Sequence, residues 1–168
     1  MKRFIIVGIL FMIAMTATIA LAAGSKVEAP DSCAVCGMSR PNFAKSRMLI
    51  TYEDGSSFGT CSIACVSGEL AKKEKKVKSI QVGDYLTDKL IDARNAVWVI
   101  NAKKRGIMSP VAKWAFSSKG DADAYIKKSG GKLATWDESL AAACEEHKGD
   151  DAAGGAKAGC DCCNKKKN

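Results

Sequence analysis

The chain has 168 residues, with 26 Lys and Arg against 18 Asp and Glu, a formal net charge of +8, eight Cys, one His and three Pro. One domain of ordinary size, or two very small modules, fits that length with enough chain to bury a core. A single His leaves little room for a Ser-His-Asp hydrolase or a histidine-rich metal cage, and eight Cys make sulfur the chemistry to follow.

Residues 1–22 read as a secretory signal peptide. Lys2 and Arg3 lead an apolar run over residues 4–13, and Ala20-Leu21-Ala22 supplies a small-x-small cleavage pattern. A retained membrane anchor is the other reading of the same stretch. Cleavage after Ala22 would leave 146 residues, and loss of Lys2 and Arg3 would lower the net charge from +8 to +6. An exported chain with so modest a basic excess points away from nucleic acid, and the charge reads as solubility or attraction to acidic surfaces. The expected location is periplasmic, or otherwise extracytoplasmic.

Residues 23–32 form a short polar leader, and a Cys-rich metal-binding module is expected over residues 33–82. It opens on Cys33-Ala34-Val35-Cys36-Gly37-Met38, a tight knuckle between Pro30 and Pro41. Residues 47–52 and 57–60 are β-rich runs around the turn Glu53-Asp54-Gly55-Ser56, a hairpin signal. Ser62 can cap a helix reaching about Lys76, since Ile63, Val66 and Leu70 fall at helical spacing. Lys72, Lys73, Lys75 and Lys76 load its last turn as a solvated end. Residues 77–82 read as a third strand that opens the crossing into the next module.

That second α+β module covers residues 83–148. Residues 90–92, 97–100, 114–116 and 132–136 look like strands. Ser118 precedes a helix through Ala122, Tyr125 and Ile126 that Gly130-Gly131 stops, and Asp137 caps a last helix ending near His147. The halves share the order hairpin, helix, strand, as an internal duplication would leave it. Residues 149–168 hold no aliphatic residue larger than Ala and are expected to be a disordered Cys/Lys tail. The fold class expected is α+β, two small modules of antiparallel strands, each with a packed helix.

Four cysteines fall as Cys33-x2-Cys36 and, after 24 residues, Cys61-x3-Cys65. The hairpin would return Cys61 beside the knuckle, and Cys65 sits one turn further, where the helix dipole favours thiolate. Three readings follow. Two structural disulfides are the usual fate of exported cysteines. A redox dithiol wants its Cys-x-x-Cys at the head of a long helix, whereas Gly37 and Pro41 follow here within five residues. Metal binding by four thiolates is the third, although the gap exceeds that of ordinary zinc ribbons. Gly37 after Cys36 excludes a c-type haem, which needs His there. Met38 adds a thioether, a soft donor that suits Cu(I) and that Zn(II) does not need; core filler is its other role.

The remaining cysteines are less specific. Cys144 and His147 lie on one face of the last helix, as a metal pair or an incidental one. Cys160-x-Cys162-Cys163 is a metal clip or an intermolecular linker, because adjacent cysteines do not easily form an unstrained disulfide. No nucleophile–base pair or phosphate-cradling loop stands out, so a non-enzyme is expected.

Cys33-Ala34-Val35-Cys36-Gly37-Met38 resembles the opening motif of the NosL family of nitrous oxide reductase accessory proteins. The resemblance continues through Tyr52-Glu53-Asp54-Gly55-Ser56, Val82-Gly83-Asp84-Tyr85 and Leu90-Ile91-Asp92-Ala93. It extends to Trp98-Val99-Ile100, Gly106-Ile107-Met108-Ser109-Pro110 and Trp136-Asp137-Glu138. It implies two related α+β modules and an extracytoplasmic Cu(I) metallochaperone with Cys36 and Met38 as ligands and Met108 as a contributor. The implied partner is a copper-acceptor protein, nitrous oxide reductase. Many members carry a lipidated Cys after the signal segment; Ala23 and Gly24 stand there here, so no stable lipid anchor is expected. Phe58-Gly59-Thr60-Cys61-Ser62 with Cys65 also resembles TRASH-type or YHS-type heavy-metal domains, which favours a site of Cys33, Cys36, Cys61 and Cys65. Two alternatives stay open: a Zn(II)-binding structural or sensing module on the same four cysteines, and a disulfide-stapled interaction domain.

Overall fold

The computed structural model describes residues 27–151. The expected signal segment 1–22 and residues 152–168 of the expected tail lie outside the described residues. In chain order the elements are β1 (Met48–Tyr52), β2 (Ser57–Thr60), α1 (Ile63–Lys72), β3 (Val77–Gly83) and β4 (Leu90–Asp92). Then come β5 (Val97–Ile100), β6 (Lys113–Phe116), α2 (Lys119–Ser129), β7 (Lys132–Ala134) and α3 (Trp136–Asp151). A 3-10 turn, Pro41–Phe43, precedes β1. The class is α+β, as expected.

Alternation sets β1: Met48, Ile50 and Tyr52 face inward while Leu49 and Thr51 are half-buried. The Asp54 carboxylate accepts a hydrogen bond from the Ser56 N–H at 2.8 Å and closes the turn into β2. Met48 then pairs Thr60 and Ile50 pairs Phe58, antiparallel. The sheets run β2-β1-β3-β4 and β6-β5-β7. Each has the first strand of its half in the centre. Its hairpin partner lies on one side, and the strand after the helix on the other, antiparallel throughout.

β4, expected in the second module, pairs with β3 through Gln81↔Asp92, Val82↔Ile91 and Gly83↔Leu90. The first sheet therefore extends beyond residue 82 to Asp92. The reason is the turn between them, where the Asp84 N–H donates to the Lys89 carbonyl at 2.8 Å and folds the chain straight back. Asp84 also joins the sheets. Its buried carboxylate accepts from the Thr87 N–H (2.9 Å), the Thr87 hydroxyl (2.7 Å) and the Ser117 N–H (2.8 Å). The next residue, Tyr85, donates its N–H to Ala115 of β6 at 2.8 Å, so the outer side of β6 is covered and all four of its residues are buried.

Two helix ends differ from expectation. α1 stops at Lys72 with Lys73 left-handed at φ 53°, and Lys75 turns back to pair with Asp54 at 2.9 Å. α3 is capped by Thr135 and not by Asp137. The Glu138 N–H donates to Thr135 Oγ1 at 3.3 Å, and the Thr135 N–H donates to Glu138 Oε2 at 2.8 Å, a reciprocal capping box. α3 also runs past His147 to Asp151, into the stretch expected to be tail.

One core serves both halves. Met48, Ile50 and Val66 of the first pack with Trp98, Trp136 and Ala143 of the second, and α3 lies against α1. Val99, Trp114, Phe116 and Tyr125 form a second cluster around Tyr85. Among the described residues no helix is long and apolar enough to cross a membrane.

The polar leader is part of the fold. Val27 is buried, and Glu28 pairs with Arg40 and with Arg47, the latter at 3.0 Å. Arg40 is fully buried and donates to the carbonyls of Glu28 (2.7 Å), Pro30 (2.5 Å), Met48 (3.1 Å) and Thr60 (3.2 Å). A buried guanidinium requires such complete pairing. Gly59 permits it: a Cβ there would stand 2.8 Å from Arg40 Cζ and 2.8 Å from Pro30 Cδ.

Candidate metal centre

The knuckle is closed by its own backbone. The Cys33 N–H donates to the Met38 carbonyl at 2.8 Å, and the Gly37 N–H donates to the Cys33 carbonyl at 2.9 Å. Gly37 takes φ 73°, a conformation open to glycine at no steric cost. The Ala34 N–H then donates to the Gly59 carbonyl at 2.9 Å, which fixes the knuckle against β2. At the far end of β2 the chain turns into α1. The Ser46 hydroxyl holds the Cys61 carbonyl at 2.8 Å, and Cys65 falls on the first helical turn.

These elements bring all four expected cysteines together: the Sγ atoms of Cys33, Cys36, Cys61 and Cys65 lie within 4.8 Å of one another. Cys36 to Cys61 is 3.5 Å, Cys61 to Cys65 3.8 Å and Cys36 to Cys65 3.9 Å. Four thiolates about 2.3 Å from a tetrahedral ion would stand about 3.8 Å apart. The thiols are free and already at ligand spacing. A carboxylate or a histidine is not needed to complete the set.

Protons are shared unevenly. Hydrogen bonding with Cys65, helped by Cys36, Cys33 and Ser62, outweighs the opposing effect of burial and brings the Cys61 thiol down to about 6. The start of α1 favours the same thiolate. Cys65 is pushed up by its contact with Cys61, with burial adding to the shift. Burial first, then its thiol contacts, pushes Cys36 up to about 11. Of these three thiols Cys61 therefore gives up its proton most readily, and metal binding displaces thiol protons.

Access is uneven too. Cys33, Cys61 and Cys65 are buried and Cys36 is half-buried, so one sulfur faces outward. Met38, Phe43 and Ile107 pack around the cluster. The expected Met38 thus lies against the cysteines. Met108 is 52 % exposed at φ 53°, and its neighbour Ile107 packs on the cluster. The Met108 loop is nonetheless held firmly. Buried Lys113 donates to Ser109 Oγ at 2.9 Å and pairs with Glu146 of α3 at 2.8 Å, and the Ser109 hydroxyl donates to Glu146 at 2.6 Å.

Phe43, Ser46 and Ile107 were not singled out from sequence. Only Ile107 had a local signal, its place in Gly106-Ile107-Met108. Cys144 is buried on α3 outside the four-cysteine cluster. The His147 side chain and Cys160, Cys162 and Cys163 lie outside the described residues.

The NosL family profile matches residues 24–143. The chain belongs to the NosL family. A crystal structure of the copper chaperone NosL from Shewanella denitrificans superposes with a TM-score of 0.54 at 26 % identity, covering 67 % of this chain and 92 % of that one. No curated protein sequence matches the chain. NosL membership accounts for the α+β fold, and the four-cysteine cluster gives this NosL chain a place where its residues can hold a metal ion.

Proposed function

We propose that this NosL chain takes up Cu(I) as cargo on its cysteine cluster, in an extracytoplasmic compartment after loss of residues 1–22, and hands it to an acceptor protein. Nitrous oxide reductase is the acceptor the family resemblance implies. The chain works as a carrier and not as an enzyme. Membership of a family that includes a protein described as a copper chaperone supports this reading.

One observation carries it: three buried thiols close around a fourth that faces outward, with a thioether packed on the same cluster. Soft thiolate and thioether donors select Cu(I). Burial of three ligands retains the ion, while Cys36 is the edge at which an acceptor thiolate or thioether enters. Exchange needs only that an incoming sulfur bind before an outgoing one leaves, so copper is never free.

The test separates Cu(I) from Zn(II). Met38→Leu keeps volume and apolarity, and as a packing change it costs less than about 1.5 kcal/mol. Anaerobic competition of the reduced protein against a Cu(I) chelator should show weaker Cu(I) binding in the variant, with Zn(II) affinity and melting temperature nearly unchanged. Equal Cu(I) affinity removes Met38 from the site. Zinc outcompeting copper in the wild type replaces the carrier with the zinc-held structural or sensing module.

A further inference from the structure

Three polar residues of the second half hold one another and supply no sulfur to the metal centre: Ser109, Lys113 and Glu146. We infer that this trio is a positioning device for that centre. It clamps the loop carrying Ile107 onto the buried sulfurs, which keeps Cys36 the one open edge. The effect on metal transfer rests on the Cu(I)-carrier reading; the shielding of the sulfurs does not.

The loop has to be held. Gly106 and Ser109 face each other in a short antiparallel bridge, and a Cβ on Gly106 would stand 2.5 Å from the Val111 carbonyl oxygen. Between them Met108 takes φ 53°, a conformation uncommon for a residue with a side chain, which persists only where its surroundings enforce it. The enforcing contacts meet at Ser109 Oγ, which accepts from Lys113 Nζ at 2.9 Å and donates to Glu146 at 2.6 Å. Lys113 Nζ also reaches the Val111 carbonyl at 3.2 Å and both Glu146 oxygens at 2.8 Å.

Holding a loop does not require buried charge, yet the Lys113 side chain is 1 % exposed and that of Glu146 20 %. Apolar residues in place of a buried ion pair are often neutral or stabilising. What this pair adds is a single geometry between two anchors, β6 and α3. Because α3 lies against α1, whose first turn carries Cys65, clamp and cluster are fastened to the same pair of helices.

Ile107 turns that geometry into cover. Among the described residues, Met38 and Phe43 pack on the cysteines from the first half, and Ile107 alone from the second. Ile107 also packs against the cluster that contains Trp114 and Phe116. Releasing Ser109 lets Met108 relax, and Ile107 leaves the sulfurs with it.

The experiment measures initial rates of iodoacetamide alkylation, cysteine by cysteine by mass spectrometry, on the full reduced chain without metal. Ser109→Ala cuts the loop from an ion pair that stays intact, so no buried charge loses its partner. Cys33, Cys61 and Cys65 should each react about tenfold faster in this variant, the effect of a lost hydrogen bond to charged groups on a local opening. Buried Cys144, outside the cluster, should keep its wild-type rate. Lys113→Met with Glu146→Leu removes both charges together and should give the same acceleration. Adding Ser109→Ala to Ile107→Ala should accelerate nothing further, because the serine acts through that side chain. Unchanged rates in Ser109→Ala overturn the clamp, and so does a matching rise at Cys144, which shows general loosening. Anaerobic release of Cu(I) to a chelator should also quicken about tenfold in Ser109→Ala. Faster alkylation with unchanged release keeps the cover and overturns its part in transfer. A wild type that binds no Cu(I) sinks the carrier reading, while the alkylation rates still decide the clamp.

Discussion

In the first half of the molecule β2 ends at Thr60, Cys61 follows, Ser62 precedes the helix and Cys65 closes its first turn. In the second half β6 ends at Phe116, Ser117 follows, Ser118 is the cap and Asp121 holds the matching place. The second corner stabilises its helix. Ser118 Oγ accepts from the Asp121 N–H at 3.2 Å and donates to its carboxylate at 2.7 Å, while the Ser117 N–H reaches Asp84. The first corner forgoes this: Ser62 makes no side-chain cap, and the sulfurs on either side of it meet Cys36 at 3.5 and 3.9 Å. A strand-to-helix corner presents two side chains one turn apart, and their identity decides between a cap and a metal clip. A lost cap costs about 1 kcal/mol, small beside the ~10–16 kcal/mol of a structural thiolate site.

The sharpest way to break the contrast is Cys61→Ser, which installs the residue found at the matching corner. Outer partners of a ligand already carry about 10–100-fold in affinity, so loss of this central sulfur should weaken metal binding at least 100-fold, read by chelator competition. The pH profile of the metal-free protein should change as well. With Cys61 at about 6 against an ordinary 9.0, its contribution is complete above pH 9 and lost as the pH falls towards 6. Cys36, raised to about 11, contributes below pH 9 and loses that as the pH rises. Urea midpoints should therefore fall from pH 9 to 6 in the wild type and flatten over that range in Cys61→Ser.

Asp84→Asn asks whether the halves depend on each other. Replacing a buried carboxylate that accepts three hydrogen bonds should cost about 1.5–3 kcal/mol in a single unfolding transition. Two separate transitions would show that the halves fold independently. The smallest effect compares the caps directly. Ser118→Ala should lose about 1 kcal/mol, a few degrees of melting temperature, and Ser62→Ala less than half of that.

Much of this was legible because the signals were local. Asp54-Gly55 between two apolar runs marks the hairpin, and once it closes, two short-spaced cysteine pairs at its base must converge. Gly130-Gly131 likewise stops α2 where expected. The misreadings concern interactions distant in sequence or decided by competition. β4 has three residues, and its apolar content suits either sheet; the tight turn at Asp84 assigns it to β3. Asp137 is an acceptable cap in isolation, but Thr135 has Glu138 three residues on and makes the reciprocal pair. Glu28 looked like leader because nothing near it signals Arg40 and Arg47. Met38 against the cluster was readable from Cys-Gly-Met, whereas the exposure of Met108 depends on a loop pinned by Lys113 and Glu146 from elsewhere in the chain.

Gly59 has a consequence for how the protein fails. It carries no ligand, yet its carbonyl holds the knuckle at Ala34 and its bare Cα leaves room for Arg40 and Pro30. Even alanine there would press on Pro30 of the leader and on buried Arg40 together. Genetic loss of metal handling should therefore map to Gly59 as well as to the cysteines. The two kinds of allele would part under excess metal: a displaced support can be pulled back by the ion it serves, and a missing sulfur cannot.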